Sequence, residues 1–331
     1  MQKICVLGGN GFVGTNLIKR LNTNHENYKT YCGDINEEDC KNFLHVDVTN
    51  PASFSCIADK EIDVIINLAA VHRDDIKPIS KYDEVNVQGA ENICNAARKH
   101  NINKIIFTSS VAIYGFAPPN TDENGEPNYF NHYGRTKYLA EKVYEKWQAE
   151  DKENRSLIII RPTVIFGEGN RGNVYNLLKQ IFSKKFVMFG NGKNKKSMAY
   201  VHNVTAFIEY CIESKQKLQT YNYIDKPDFD MNSLIAKTRE TLFNKNNVGI
   251  RLPSFFGILI GYIADVFAKL SGTKLPVSSI RVKKFLGTTQ FDSSIKNTGF
   301  IAPINIEDAL KRTLRYEFIE DNSDKQIFET E

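Results

Sequence analysis

The sequence predicts an α/β fold with a doubly wound parallel sheet, and three observations support this prediction. A strand-length apolar segment, 3–7, leads into a glycine-rich turn and then into 12–21, where apolar residues recur with helical spacing. Two later apolar segments, 63–68 and 104–107, are rich in β-branched residues and are separated by helix-like stretches. Strands that alternate with helices are typical of parallel sheets covered on both faces.

The turn after the first segment has glycines at Gly8, Gly11 and Gly14. In a strand–turn–helix unit, these glycines permit a tight turn, a close backbone approach to a pyrophosphate, and packing of the helix on the strand. Backbone N–H groups at the helix start, from Phe12 and Val13 onwards, then meet the phosphate charge. A flexible loop is the alternative, but the position directly after a strand favours a Rossmann-type dinucleotide site.

A second apolar run ends at Asp34, roughly where an acidic residue accepts hydrogen bonds from the adenosine ribose. Its charge would repel the additional phosphate of NADP, so NAD is the predicted cofactor. An acidic residue after a strand is also an ordinary turn former, and that alternative stays open.

With 331 residues and 41% hydrophobic content, the chain is long for a single dinucleotide fold. We predict a NAD-binding domain over 1–166 plus about 198–226, and a smaller substrate lobe over 167–197 plus about 227–319. The polar residues 320–331 predict a flexible tail.

The charge is balanced, with 43 basic and 39 acidic residues, which argues against nucleic acid as a partner. Six scattered cysteines without a CxxC pair indicate neither a metal site nor a disulfide framework. The first residues lack the features of a signal peptide, so a cytoplasmic protein is expected.

A Tyr-x-x-x-Lys pattern can provide a proton-transfer site, and it occurs three times, at Tyr133/Lys137, Tyr138/Lys142 and Tyr175/Lys179. Residues four apart are neighbours on a helix, so all three could be surface pairs. Tyr133 is the preferred base because a strand end with Ser110 precedes it and its helix face continues with Ala140 and Tyr144.

Removal of an alcohol proton by Tyr133 requires help from neighbouring groups. A phenol with a pKa of ~10 is a poor base near neutral pH, and lowering that pKa by ~3 units requires about 4 kcal/mol. A shielded site that holds both Lys137 and a cationic nicotinamide ring is predicted to supply this energy. Ser110 would hydrogen-bond the reacting oxygen.

Taken together, the sequence resembles the extended short-chain dehydrogenase/reductases over nearly its whole length. The resemblance depends on the glycine motif, Asp34, 47–48, 67–70, Asn86, 109–110, 114–115, the Tyr133/Lys137 pair, 161–162 and 292–300. It implies that Ser110, Tyr133 and Lys137 are catalytic and that homodimers form. It also implies cofactor contacts from Asp47, Val48, Leu68, Ala69, Ala70, Asn86, Tyr133, Lys137 and Pro162.

The family's usual substrate is a sugar carried on a diphosphate, and one local departure narrows the type of reaction. Sugar dehydratases of this family have an Asp-Glu pair after the catalytic hydroxyl residue, whereas Val111 and Ala112 follow Ser110 here. A 4-epimerase is therefore favoured. In that reaction Tyr133 takes the C4 hydroxyl proton and NAD takes the C4 hydride. The transient 4-keto sugar then rotates, and the hydride returns to its other face.

Longer runs resemble the bacterial enzymes that interconvert GlcNAc and GalNAc on undecaprenyl diphosphate for surface polysaccharide (O-antigen) assembly. These runs are 72–75, 131–134, 161–168, 171–180, 196–201 and 288–292. Lys196 stands where UDP-hexose epimerases have an arginine, and Pro162-Thr163-Val164 replaces their Tyr-Phe-Asn. The alternatives are a nucleotide-sugar 4-epimerase, an NAD(P)-dependent 4-keto-sugar reductase or steroid-type dehydrogenase, and a non-catalytic NAD-binding scaffold.

Candidate substrate residues are His72, Ser110, Asn173, Lys196 and Arg281. A solvated loop position for His72, capping of its own helix by Asn173 and plain surface charge for Arg281 are the alternatives. The apolar segment 252–270 predicts either a core helix or an interfacial helix with peripheral contact to the inner face of the cell membrane. Basic residues at 269, 274, 281, 283 and 284 would then face anionic head groups.

Overall fold

The computed structural model describes residues 1–38, 40–73, 76–271 and 279–330, without the side chains at 268, 270, 280, 281, 283 and 284. Its strands are β1 Gln2–Leu7, β2 Tyr28–Asp34, β3 Phe43–His45, β4 Val64–Asn67, β5 Lys104–Thr108, β6 Ser156–Pro162, β7 Val164–Phe166, β8 Met188–Phe189, β9 Lys195–Tyr200, β10 Leu218–Tyr223, β11 Asp225–Asp230 and β12 Arg251–Leu252. Its helices are α1 Phe12–Thr23, α2 Ser80–Tyr82, α3 Gly89–Lys99, α4 His132–Ala149, α5 Asn173–Phe182, α6 Val201–Ile212, α7 Met231–Phe243, α8 Ser254–Ser271, α9 Ser279–Leu286 and α10 Ile306–Phe318. A π-helical segment, Asp83–Gln88, joins α2 to α3.

Seven parallel strands form the central sheet in the order β10-β6-β5-β4-β1-β2-β3. The four segments predicted as strands are β1, β2, β4 and β5, so the predicted α/β doubly wound sheet is confirmed. β1 pairs with β2 on one side and with β4 on the other. The strand order therefore reverses beside the glycine-rich turn, where open α/β sheets have a ligand crevice at the carboxyl ends of their strands.

Each face of this sheet has its own hydrophobic core. Along β1, the side chains of Cys5 and Leu7 belong to one core and those of Ile4 and Val6 to the other, as the two-residue period of a strand requires. Helices α3 and α4 cover the first face, and α1 and α6 cover the second. Strands buried on both faces explain why the sequence segments are continuously apolar.

A second group of elements begins at β7, and β10 of the central sheet interrupts it in the chain. It contains the three-stranded sheet β11-β9-β7, the strand pair β12-β8, and a third hydrophobic core to which α5, α7 and α10 contribute. The boundaries proposed for a NAD-binding domain and a substrate lobe stay a prediction.

Helix α8 shows the reverse of the usual pattern for a helix on a folded protein. Its small residues Gly257 and Gly261 are buried, and a Cβ on Gly257 would lie 2.8 Å from the Phe189 ring. Its large apolar side chains are exposed instead: Phe255, Phe256, Leu259, Ile260, Tyr262, Ile263, Val266 and Phe267. The segment is therefore no core helix. Among the described residues, no helix is both long and apolar enough to span a membrane.

The tail predicted as flexible over 320–331 has a defined course near its end. The Phe328 N–H donates to the Gly169 carbonyl at 2.9 Å, and the Arg171 N–H donates to the Phe328 carbonyl at 2.8 Å. The ring of Phe328 packs at 5.5 Å from that of Phe12. The polar composition of 320–331 conceals this apolar anchor, and the flexible tail stays a prediction.

Candidate active site

The glycine-rich turn joins β1 to α1 and packs against the segment that follows β4. Gly8 has a φ of +73°, and a Cβ there would lie 2.7 Å from the backbone nitrogen of Ala69. A Cβ on Gly14 would lie 2.2 Å from the Gly8 carbonyl oxygen. The N–H of Gly11, which caps α1, donates to that same carbonyl at 3.2 Å. Close backbone packing therefore excludes side chains at Gly8 and Gly14.

The first turn of α1 offers backbone donors, whereas its apolar side chains take part in packing. Phe12 is buried in the third core, and Val13 packs against that core and against one sheet core. Helix geometry leaves the N–H groups of Phe12, Val13 and Gly14 without intrahelical acceptors. These are the groups that bind a pyrophosphate at a helix N-terminus. A cofactor contact by Phe12 or Val13 would thus use the backbone.

Asp34, at the carboxyl end of β2, is bonded to the glycine-rich turn. One carboxylate oxygen accepts a hydrogen bond from the N–H of Asn10 at 3.0 Å. The other accepts from the N–H groups of Ile35 and Asn36 at 2.8 and 3.2 Å. The carboxylate therefore closes its own turn, as the turn-former alternative requires, and also lies beside the turn that is predicted to hold the cofactor.

The residues implied to contact adenine follow β3. The Asp47 carboxylate accepts from the N–H and the hydroxyl of Thr49 at 2.9 and 2.7 Å. Val48 is buried, and its carbonyl accepts from the Asn92 side chain of α3 at 2.8 Å. A Cβ on Gly89 would lie 3.0 Å from the Val48 side chain. This loop is therefore packed directly against α3.

The segment after β4 is held by two asparagines. The Asn67 side chain accepts from the N–H of Ala69 at 3.0 Å. Asn86 accepts from the Val71 N–H at 2.9 Å, and its amide donates to the Val71 carbonyl at 3.0 Å and to the Thr136 hydroxyl of α4 at 2.9 Å. Asn86 thus fastens the loop that contains Leu68, Ala69 and Ala70 to the helix that contains Tyr133.

Ser110 and Tyr133 are brought together by the packing of two short segments. Ser110 begins the 3-10 turn after β5, and its Oγ accepts from the Ala112 N–H at 3.1 Å. Helix α4 begins beside this turn, because a Cβ on Gly134 would lie 2.5 Å from the Ala112 carbonyl oxygen. Asn131 caps the helix by accepting from the Gly134 N–H at 2.9 Å. Tyr133 therefore lies in the first turn, close enough to Ser110 for the serine side chain to lower the pKa of the phenol.

Lys137 lies one turn further along α4 and is 2% exposed, with its Nζ 4.3 Å from the centroid of the Phe107 ring. Burial lowers the pKa of Lys137 to about 7, although Glu141 acts in the opposite direction. Burial also raises the pKa of Tyr133 to about 12, against the effect of the Ser110 hydrogen bond. Desolvation thus disfavours both charged forms, so a Tyr133 phenolate at neutral pH requires positive charge beyond that of Lys137.

Two buried hydroxyl groups at the end of β5 fit a polar ligand at this edge of the sheet. Thr108 Oγ1 and Ser109 Oγ are shielded from solvent, and neither has a hydrogen-bond partner among the described residues. Buried polar atoms in folded proteins nearly always have a partner. Together with the glycine-rich turn, these atoms fit a dinucleotide that runs from the start of α1 towards Ser110.

The predicted substrate residues lie on separate elements. His72 follows β4, and its Nε2 is 3.0 Å from the Thr330 carbonyl. Burial lowers its pKa, while hydrogen bonds to the backbone of Ala70 and Thr330 oppose that shift. Asn173 is the first residue of α5, directly after the cap Gly172. Thr330 also contacts the loop before α5, because its hydroxyl donates to the Asn170 side chain at 2.5 Å.

The two predicted basic residues lie further along the chain. Lys196 is in β9, its Nζ donates to the Gly287 carbonyl at 2.7 Å, and burial lowers its pKa to about 8. Arg281 lies in α9, but its side chain is outside the described residues.

Pro162 ends β6 and is buried beside Thr163, whose N–H donates to the Tyr223 carbonyl at 3.0 Å.

A buried ion pair behind the site was not predicted from the sequence. Arg161 forms two hydrogen bonds with the Glu141 carboxylate, at 2.9 and 2.7 Å, and a third with the Tyr114 hydroxyl at 2.6 Å. The Tyr114 hydroxyl in turn donates to the Asn222 side chain of β10 at 2.9 Å. The network joins α4, β6, β10 and the 3-10 turn that begins at Ser110. Among the motifs that carry the family resemblance, 114–115 and 161–162 contain members of this network, but neither indicated an ion pair.

Comparisons with known proteins agree with this site. A model of the NAD dependent epimerase/dehydratase family matches residues 4–223. The chain is 44% identical over 344 residues to an N-acetyl-alpha-D-glucosaminyl-diphospho-ditrans,octacis-undecaprenol 4-epimerase of Escherichia coli O157:H7, covering 100% of this chain and 99% of that protein. It is 29% identical over 304 residues to a UDP-glucose 4-epimerase of Vibrio cholerae, covering 86% and 90%.

Among solved structures, UDP-glucuronic acid 4-epimerase from Bacillus cereus, in complex with UDP-glucuronic acid and NAD, shares the fold. The TM-score is 0.73 at 19% identity, with 95% of this chain and 98% of that chain covered. The family model spans the glycine-rich turn, Ser110, Tyr133 and Lys137, and its description bears out the predicted cofactor, NAD. The chain therefore belongs to the NAD dependent epimerase/dehydratase family.

Proposed function

We propose that this protein is a NAD-dependent 4-epimerase that interconverts GlcNAc and GalNAc on undecaprenyl diphosphate during surface polysaccharide (O-antigen) assembly. The observation that carries this proposal is the 44% identity, across both chains, to a relative whose name states that lipid-linked substrate. The nucleotide-sugar alternative is supported by a lower identity, 29%, to a UDP-glucose 4-epimerase. The departures at Lys196 and 162–164 also favour the lipid-linked sugar.

In this proposal Tyr133 removes the C4 hydroxyl proton and later returns it, and Ser110 holds the C4 oxygen through its hydroxyl. When bound, NAD supplies the hydride acceptor and donor. Lys137 is buried one helical turn from Tyr133, and its protonated form favours the phenolate. The packing of the start of α4 against the turn after Ser110 supports these roles, because both groups must reach the same oxygen.

The diphosphate of the substrate is proposed to bind between α5 and β9. Asn173 begins α5, where backbone N–H groups attract anions. Lys196 of β9 and Arg281 of α9 would add positive charge. The neutral imidazole that results from the lowered pKa of His72 would donate or accept a hydrogen bond at the sugar.

The substrate assignment is tested by offering undecaprenyl-diphospho-GlcNAc and UDP-GlcNAc to the purified protein in parallel. We expect turnover of the lipid-linked sugar to be at least about ten-fold faster, a difference of ~1.4 kcal/mol in transition-state binding. Separation of the GlcNAc and GalNAc products measures both rates. Turnover of the nucleotide sugar alone would contradict the lipid assignment, and stoichiometric formation of NADH would indicate a dehydrogenase or reductase instead.

We further propose that α8 lies on the cytoplasmic membrane surface, where a polyprenyl chain would be anchored. Eight large apolar side chains of α8 are exposed, while its glycines face the protein. Contiguous exposed apolar surface of this kind marks an interaction site. Lys269, exposed at the end of the helix, suits anionic head groups. The side chains at 274, 281, 283 and 284 are outside the described residues.

The homodimer stays a prediction.

The double variant Leu259→Asp/Ile263→Asp tests this membrane contact. We expect it to bind vesicles containing anionic phospholipid about 100-fold or more weakly than the wild type, because each buried apolar side chain contributes about 1.5–3 kcal/mol. Both side chains are exposed, at 51% and 60%, so folding should not change. Co-sedimentation with vesicles measures the binding.

The matched control is Ile301→Asp/Ile319→Asp, which adds the same charge at apolar residues that are 86% and 56% exposed and lie outside α8. This control should bind vesicles like the wild type. Equal losses in both variants would mean that added negative charge, and not the α8 surface, decides binding. A wild-type protein that stays in the supernatant would contradict the membrane proposal.

A further inference from the structure

Residues 326–330 form an extended segment, here called the strap, that lies along the loop before α5. Phe328 pairs with Asn170 in a parallel β-bridge. The Phe328 N–H donates to the Gly169 carbonyl at 2.9 Å, and the Phe328 carbonyl accepts from the Arg171 N–H at 2.8 Å. Phe328 and Thr330 are partly buried, whereas Ile327 and Glu329 are exposed. The strap therefore presents alternate side chains to the protein, as a strand does.

The loop under the strap is shaped to receive it. Gly169 has a φ of +81°, and a Cβ there would lie 3.0 Å from the Gln326 carbonyl oxygen. A Cβ on Gly172 would lie 2.7 Å from the Thr330 hydroxyl oxygen. Asn170, which accepts from that hydroxyl, is buried and donates to the Ile165 carbonyl at 3.0 Å. Any side chain at Gly169 or Gly172 would displace the strap.

The other side of the strap contacts three elements of the predicted cofactor crevice. The Phe328 ring packs on Phe12 at the start of α1, and His72, after β4, hydrogen-bonds the Thr330 carbonyl at 3.0 Å. The Gln326 side chain donates to the carboxylate of Glu38, which follows β2. The strap thus runs from the loop before α5 across the carboxyl ends of β1, β2 and β4, where ligands bind in open α/β sheets.

The contacts of the strap are too few to hold it closed permanently. Two backbone hydrogen bonds, one aromatic pair and three side-chain hydrogen bonds oppose the conformational entropy of five residues. Segments with so few buried contacts open locally at low free energy. Opening and closing of the strap therefore provides a route by which a cofactor can enter the crevice and then be enclosed.

We propose that the strap closes over bound NAD and retains it in the crevice. The strap touches the element that offers the pyrophosphate donors, through Phe12, and the loop that contains Ala69 and Ala70, through His72. Closure would slow NAD release and keep His72 oriented. An enzyme that returns its hydride in every cycle benefits from such retention, but the proposal requires only NAD binding and holds for any sugar substrate.

The proposal is tested with Phe328→Ala, and Ile327→Ala is the matched control. Both changes shorten an apolar side chain of the same five-residue segment, but Ile327 is 48% exposed and Phe328 packs on Phe12. The NAD-loaded proteins are mixed with excess NADH, and the release of NAD is followed over time. We expect release at least about ten-fold faster from Phe328→Ala, and within about two-fold of the wild type from Ile327→Ala.

A second measurement uses the reciprocity of linked equilibria. If closure favours NAD binding, NAD must favour closure by the same factor. Trypsin can cut after Lys325, which is exposed, and saturating NAD should slow that cleavage in the wild type but much less in Phe328→Ala. Equal NAD release from all three proteins, slower release from Phe328→Ala, or tryptic cleavage that NAD does not slow would each overturn the proposal.

Discussion

Tyr133→Phe is expected to lower kcat by about 10²–10⁴-fold, because the variant lacks the hydroxyl that would accept the C4 proton. The ring and its packing are kept, so the helix that Asn131 caps and the adjoining turn at Ser110 should not move. The variant should therefore still purify with NAD and show an unchanged thermal midpoint. Epimer formation from the preferred sugar diphosphate measures the loss.

The same helix provides a matched control. Tyr138 also precedes a lysine by four residues, but its ring packs with Lys142, whose Nζ lies 5.0 Å from the ring centroid, and Lys142 pairs with Glu145 at 2.7 Å. Tyr138→Phe should retain activity within about two-fold. If Tyr133→Phe were as active as Tyr138→Phe, Tyr133 would not be the base, and a non-catalytic NAD-binding role would regain support.

The predicted parts of the structure are those decided by local sterics and periodicity. Gly8 and Gly14 were recognisable because a left-handed φ and a backbone contact leave no room for a side chain. The buried strands were recognisable because each of their faces meets a core. Local spacing alone could not separate the three Tyr-x-x-x-Lys pairs. Their order relative to the strand end at Ser110 favours Tyr133, which stays a prediction, and α4 begins beside the turn after Ser110.

The parts missed by the sequence reasoning depend on contacts between distant residues. His72 and Thr330 are 258 positions apart, and nothing near either residue indicates their hydrogen bond. For α8, the sequence shows a stripe of small residues and large apolar residues around the rest of the helix. The choice between a core helix and an interfacial helix also depends on which of these faces packs against Phe189. Periodicity identifies two faces of a helix, but only packing decides which face is buried.

Arg161→Met is expected to lower the free energy of unfolding by about 3–5 kcal/mol, because it leaves the fully buried Glu141 carboxylate without its partner. The guanidinium forms two hydrogen bonds with that carboxylate and one with the Tyr114 hydroxyl. Methionine keeps an unbranched apolar stem but supplies none of these donors. Urea unfolding, with all proteins at the same NAD concentration, measures the change.

The double variant Arg161→Met/Glu141→Leu separates the cost of an unpaired charge from the value of the pair. Replacing both ions with apolar groups of similar volume should restore most of the stability, since desolvation offsets much of the attraction in a buried pair. A double variant as unstable as Arg161→Met would contradict this account. Its kcat should nevertheless stay below the wild-type value, because Arg161 bonds both Glu141 of α4 and Tyr114 in the turn after Ser110, and these directed hydrogen bonds help to fix that turn relative to the helix of Tyr133.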